Sequence, residues 1–235
     1  MKKNFKMILC AVLALLSTSA ASKTLVVYYS YTNYCREIVA TLTSQIQADV
    51  LEIQPAEKGL KYDANGYALG TQLLNAIKAA SDNAGSYPAI DPVTTSLSDY
   101  QTVIIVTPLW WSQMAAIMQT YLFNYGPQLA GKNVGLIVSS ASSGISGVVA
   151  DCKRLVPDGN YFSQNLWINH SGHSNRATLI QNWLSAINYN AATGISLPQT
   201  STAAPARIYD LNGRLMVTVP HQGIYIVNGE KRFLE

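Results

Sequence analysis

Charge is scarce in this chain, cysteine and histidine are few, and no apolar run is long enough to cross a bilayer. Only 12% of the 235 residues are Asp, Glu, Lys or Arg, yet 49% are hydrophobic, with 14 tyrosines and 4 tryptophans. That balance excludes a disordered or fibrous protein, because such chains lack the apolar content to bury a core. The length suits one α/β domain plus a small appendage. The longest apolar stretch near the start, Met7 to Leu16, follows Met1-Lys-Lys-Asn-Phe-Lys and precedes the small residues Ser17 to Ser22. A basic start, a short apolar segment and small residues describe a secretory signal peptide over 1–21, and the segment is too short to span a membrane. The mature chain is therefore expected to be exported, periplasmic or secreted, with no transmembrane segment. Lys2, Lys3 and Lys6 would leave with the peptide and no acidic residue would, so the formal +3 falls to zero. Neither nucleic acid nor an anionic membrane is then expected as a partner.

The scarce residues limit the chemistry further. Cys35 and Cys152 each fall inside a helical pattern, and a disulfide needs closely matched geometry, so free buried thiols are expected. A loop cysteine followed six residues later by arginine, as phosphatases require, is absent: Thr41 and Asp158 hold those places. His170, His173 and His221 lack metal-ligand spacing.

What is present is an alternation. Leu25 to Tyr29 is a continuous β-branched and aromatic run, as expected of a strand buried on both faces; Cys35, Ile38, Val39, Leu42 and Ile46 then recur at helical spacing. Between them, Ser30-Tyr31-Thr32-Asn33-Tyr34 makes a strand-to-helix loop. Such a loop aims free backbone N–H groups and the positive end of a helix dipole at one volume that suits a phosphate. Ser30 and Thr32 add hydroxyls, and Asn33 tolerates a left-handed backbone. A plain helix cap is the alternative, since capping favours the same residues. Further strands are expected at Asp49–Gln54, Thr102–Pro108, Asn133–Ser139 and about 165–169, each followed by a helical stripe. A polar, Gly-punctuated insertion, Lys58 to Gly66, precedes the second helix. The alternation implies a parallel sheet covered on both faces, with ligands held beyond the carboxyl ends of its strands. Three of those loops can converge: Ser30 to Cys35, Pro108 to Gln113 and Ser139 to Gly147.

The hydroxyl-rich loop, Thr107-Pro-Leu-Trp-Trp-Ser112 and the Ser/Gly loop together resemble the flavodoxin family over about Lys23 to Tyr189, above all its exported Bacteroidetes-type members. The resemblance implies an α/β fold with a five-stranded parallel sheet of order 2-1-3-4-5, bound FMN and electron transfer. It places Ser30, Tyr31, Thr32, Asn33, Tyr34 and Cys35 on the phosphate loop, with Asn33, Tyr34 and Cys35 replacing the family's Gly, Asn and Thr. Pro108, Leu109, Trp110, Trp111 and Ser112 match the loop along the flavin ring, where an indole can stack; the alternative is a core or interface anchor. Ser139, Ser140, Ser142, Ser143 and Gly144 match the loop at the ring's far edge, or form a flexible turn. In an extended loop neighbouring side chains alternate, so Trp110 is expected to face the ring and Trp111 to pack inward. These loops offer hydroxyls, amides and indoles but no acid, base or metal ligand, leaving the chemistry to the cofactor. The implied partner is a redox protein or a small acceptor such as a quinone. A flavodoxin-fold binding or structural module without flavin is the alternative, motivated by Asn33-Tyr34-Cys35.

Residues 190–205, rich in Ala, Ser, Thr and Pro, read as a linker. Residues 206–235 carry two Asn-Gly hairpin signals, Asn212-Gly213 and Asn228-Gly229, and so read as a small antiparallel meander. That tail resembles the C-terminal sorting tails of secreted Bacteroidetes proteins.

Overall fold

The computed structural model describes residues 23–190 and, in the tail, 208–209, 223–227 and 230–234. The expected signal peptide, the linker from residue 191 onward and both Asn-Gly turns lie outside these residues. The chain divides into two compact units, Met1–Ile195 and Ser196–Glu235.

In the first unit the elements run β1 (Lys23–Tyr28), α1 (Tyr34–Thr43), β2 (Asp49–Glu52), α2 (Ala64–Ala79), β3 (Tyr100–Trp110), β4 (Gln113–Met114), α3 (Ala116–Tyr125), β5 (Asn133–Ser140), α4 (Ser146–Leu155), β6 (Asn160–Tyr161), β7 (Leu166–Asn169) and α5 (Arg176–Ala186). The sheet order is β2-β1-β3-β5, and β6 and β7 both pair with β5. Counting β6 and β7 as one interrupted strand gives the expected order 2-1-3-4-5. In the interruption the Gln164 carbonyl accepts from Trp183 Nε1 at 2.9 Å, so a side chain replaces a ladder partner. All pairings among these strands are parallel; β4 alone folds back antiparallel on β3.

The apolar runs form strands because both sheet faces are covered. Successive side chains alternate across the sheet: Leu25, Val27, Val103 and Ile105 join a core with Leu74, Ile77, Ile117, Tyr121, Val148 and Cys152 from α2, α3 and α4. Helix α1 packs on α5, burying Ile38, Leu42, Ile180 and Leu184. Because every parallel strand runs the same way, their carboxyl ends and the following loops share one rim.

The second unit is a three-stranded antiparallel sheet of β8 (Ile208–Tyr209), β9 (Gly223–Val227) and β10 (Glu230–Leu234), in the order β10-β9-β8. Glu230 pairs with Val227, so two residues connect β9 to β10.

Candidate functional site

At that rim the loops after β1, β3 and β5 enclose a cavity of about 410 Å³, within the range of small-molecule and cofactor pockets. From the first loop Ser30, Tyr31, Thr32, Tyr34 and Cys35 line it; from the second, Pro108, Leu109, Trp110 and Trp111; from the third, Ser139 and Ser140. Asn33, Ser112, Ser142, Ser143 and Gly144 are not among its lining residues.

One end is polar. Asn33 occupies the N-cap of α1 in the left-handed region, φ 66°, so the chain turns into the helix without glycine. The Arg36 guanidinium donates to Asn33 Oδ1 and reaches Glu52 at 2.5 Å, bracing that turn from outside. Ser30 Oγ accepts from the Arg36 backbone N–H at 3.3 Å, which leaves the serine proton available to an acceptor. The first-turn N–H groups of α1 have no intrahelical partner and face this end with Ser30 and Thr32. Tyr34 does not stand over them alone. Its ring lies flat on His170, centroids 4.3 Å apart, and edge-on to His173 at 4.6 Å. His173 Nε2 meets Glu37 Oε2 at 2.9 Å, and that hydrogen bond, with Arg176 beyond it, holds the Glu37 carboxyl below its ordinary range. Cys35 is buried, and burial pushes its thiol far above the ordinary value, which disfavours the thiolate a nucleophile needs. Burial likewise takes Cys152 up to about 12. Both cysteines are free, as expected.

The other end is aromatic. Trp110-Trp111-Ser112-Gln113 is a tight β-hairpin in which Trp110 pairs with Gln113. Trp111 (φ 47°) and Ser112 (φ 63°) both take positive φ, the geometry of a type I′ turn, which usually falls to Asn-Gly. A turn, unlike an extended loop, does not alternate its side chains, and Trp111 does not pack inward as expected. Trp110 packs inward, against Tyr29 at 5.9 Å and Tyr62 at 4.9 Å. Trp111 stays 44% exposed. Its ring lies over Gly70 of α2, where an added Cβ would meet it at 2.8 Å, and touches Tyr67 edge-on at 5.6 Å. Both tryptophans still line the cavity.

Sequence reading missed five lining residues: Tyr62, Asp63, Tyr67, Ala141 and His170. Tyr62 and Asp63 come from the insertion before α2, where aromatic residues amid glycines and polar residues were the available signal. The Tyr31 hydroxyl donates to Asp63, and this bond keeps the carboxyl below its ordinary range while raising the phenol. Although the three predicted loops carry no acid or base, the cavity therefore has one carboxylate and one imidazole on its wall. In the third loop Ser140 Oγ donates to the Ser143 carbonyl at 2.8 Å and accepts from Trp167 Nε1 at 2.8 Å. These bonds turn the loop on itself and explain why Ser142 to Gly144 stay off the cavity wall. Among the described residues no group of His, Cys, Asp or Glu could hold a metal ion.

A family model described as Flavodoxin matches residues 23–187. The chain belongs to the flavodoxin family. Its fold is similar to a structure named as a flavoprotein from Bacteroides eggerthii, at 25% identity over 71% of this chain and 98% of that one, TM-score 0.55. A Bacteroides uniformis structure of the same description matches at 24% identity, covering 69% of this chain and 99% of that one, TM-score 0.55. A flavoprotein from Lactobacillus acidophilus, solved in complex with FMN, matches at 21% identity over 67% of this chain and 99% of that one, TM-score 0.53. Within this flavodoxin-family chain no described helix is long and apolar enough to cross a membrane.

Proposed function

We propose that the chain binds FMN and serves in electron transfer, or in flavin-dependent reduction of a small acceptor, outside the cytoplasm. The observation that carries this reading is the division of one cavity into a hydroxyl and helix-terminus end and an aromatic end. FMN is divided in the same way, into a phosphate and a flat ring.

The residues present fit that group. Ser30, Thr32 and the Tyr34 and Cys35 N–H groups at the start of α1 would hold the phosphate through charge-assisted bonds. Trp110, Trp111, Tyr62 and Tyr31, which line the other end, would give the ring apolar and aromatic surroundings. When bound, the flavin supplies the redox chemistry, and the protein contributes orientation and electrostatics. Asp63, held ionised by Tyr31, places a negative charge on the wall. The basic start and short apolar run before Lys23 support export, and the family supports a redox partner protein or a small acceptor such as a quinone.

The substitutions Asn33, Tyr34 and Cys35 motivate a second reading, a flavodoxin-fold module without flavin. Purifying the mature chain after loading with FMN and recording its visible spectrum separates the two. A protein-bound flavin spectrum is expected; no retained flavin under any loading condition favours the second reading. Steady quinone turnover with a nicotinamide donor, by the purified protein alone, then distinguishes a reductase from a carrier.

A further inference from the structure

The tryptophan turn is costly to form. Trp111 and Ser112 both sit at positive φ without being glycine, a strained conformation that persists only where the surroundings over-determine it. Here the surroundings come from a different element. Helix α4 presents Gly147, Asp151 and Arg154 at spacings of four and three, which places them along one stripe of the helix.

Each member of the stripe acts on the hairpin or its stem. Gly147 lies under the turn: a Cβ there would come within 1.9 Å of the Ser112 carbonyl oxygen, so only glycine allows this approach. One helical turn on, Asp151 Oδ2 accepts from the Met114 N–H at 3.0 Å. The Met114 carbonyl accepts from Gln119 Nε2 at 2.7 Å. Arg154 ties the two clamps together, donating to Gln119 Oε1 at 2.8 Å and Asp151 Oδ1 at 3.3 Å, and it also reaches the Tyr87 hydroxyl at 3.2 Å. Met114 and Gln119 are fully buried, so an unmade bond there would leave a polar group with no water to satisfy it. Both backbone groups of the first residue after the turn are thus fixed by side chains remote from the cavity wall, none of which lines it.

We infer that Asp151, with Gly147 and Arg154, forms a positioning stripe that sets the Trp110-Trp111 turn, and through it the fit of the aromatic end to a flavin ring. This rests on the flavin reading above, but its structural half does not need the flavin.

The test uses the full mature chain labelled with 5-fluorotryptophan, its four fluorine signals assigned by single Trp→Phe variants. In Asp151→Ala without ligand, the Trp110 and Trp111 signals should shift or split while those of Trp167 and Trp183 stay in place. Asp151→Asn, whose amide oxygen can still accept from Met114 but whose NH2 group cannot accept from Arg154, should move the same two signals less than Asp151→Ala does. Gly147→Ala should move the same two signals. In the loaded protein, Asp151→Ala should weaken FMN and riboflavin by the same factor, about two- to tenfold, since an aromatic contact is altered and the phosphate end is not. Unmoved Trp110 and Trp111 signals, equal movement of all four, or a loss confined to FMN would each overturn the inference. If the wild type binds no flavin, the functional reading fails, and the fluorine spectra alone decide the positioning role.

Discussion

Tyr34 lies flat on His170, ring centroids 4.3 Å apart and planes within 13° of parallel. The contact joins the first residue of α1 to the loop after β7, two segments 136 residues apart. It gives a structural role to a residue that departs from the family's asparagine. Tyr34→Ala removes this stack and the edge contact with His173, together about 1–2 kcal/mol. The thermal midpoint is expected to fall by about 2–8 °C. A scan showing no change would mean that the stack does not stabilise the fold.

The two hydroxyls at the polar end should separate. Thr32→Ala deletes one charge-assisted donor to a phosphate and should weaken FMN about tenfold to a hundredfold. Riboflavin, which lacks the phosphate, should bind unchanged, as should the thermal midpoint. Ser30→Ala should show the same selective loss and also destabilise the apo protein by about 1 kcal/mol, because Ser30 Oγ accepts the Arg36 N–H. Fluorescence titrations with both flavins check this; equal losses for the two would place the phosphate elsewhere.

Ser112→Gly should stabilise the protein. Serine at φ 63° is strained where glycine is not, and relief of about 1–2 kcal/mol is partly offset by the freer unfolded chain, for a net gain of about 0.5–1 kcal/mol. A higher urea midpoint with an unchanged slope is the expected result. A lower midpoint would show that the serine side chain contributes more than its backbone costs.

Alkali should unfold the protein in a graded way. Burial takes Cys152 up to about 12 and Tyr100, which also faces Asp49, up to about 12, and raises Cys35, Tyr29 and Tyr121 further still. In the unfolded chain these thiols and phenols titrate near about 8.5 and 10. A raised folded pKa means the folded state holds its proton longer. The stabilisation is thus complete below about pH 8.5 and is lost as pH rises toward 12, by at most about 1.4 kcal/mol per pH unit for each group. Urea midpoints across this window, with Cys152→Ala flattening the first part of the decline, test the sign. A flat profile up to about pH 11 would contradict it.

The layered sheet was legible because the strands at Leu25–Tyr28 and Thr102–Thr107 are buried on both faces, and an uninterrupted apolar run records that environment directly. The hydroxyl loop and the tryptophan loop were legible because their chemistry is local. The rest depended on distance. Tyr62 and Asp63 reach the cavity only because Tyr62 packs edge-on against Tyr31 at 5.3 Å and tilted against Trp110 at 4.9 Å, contacts that no spacing in the chain encodes. His170 arrives through the long-range stack on Tyr34. Strand alternation does not carry into a turn whose φ angles are positive, which is why Trp111 stays exposed, and the bond from the Ser140 hydroxyl to the Ser143 carbonyl, which holds Ser142 to Gly144 away from the lining, leaves no mark in residue spacing.

The interruption between β6 and β7 has a bearing on solubility. A sheet margin with a long row of unpaired N–H and C=O groups is a template for another chain. Here the outer partner of β5 is cut into pieces of two and four residues, and Gln164 in the gap gives its carbonyl to Trp183. At the opposite margin β2 has only four residues, and Pro55 follows shortly after. A second copy approaching either margin of this sheet would meet a strand of at most four residues, so in the first unit brevity, in place of charge, limits edge-to-edge pairing.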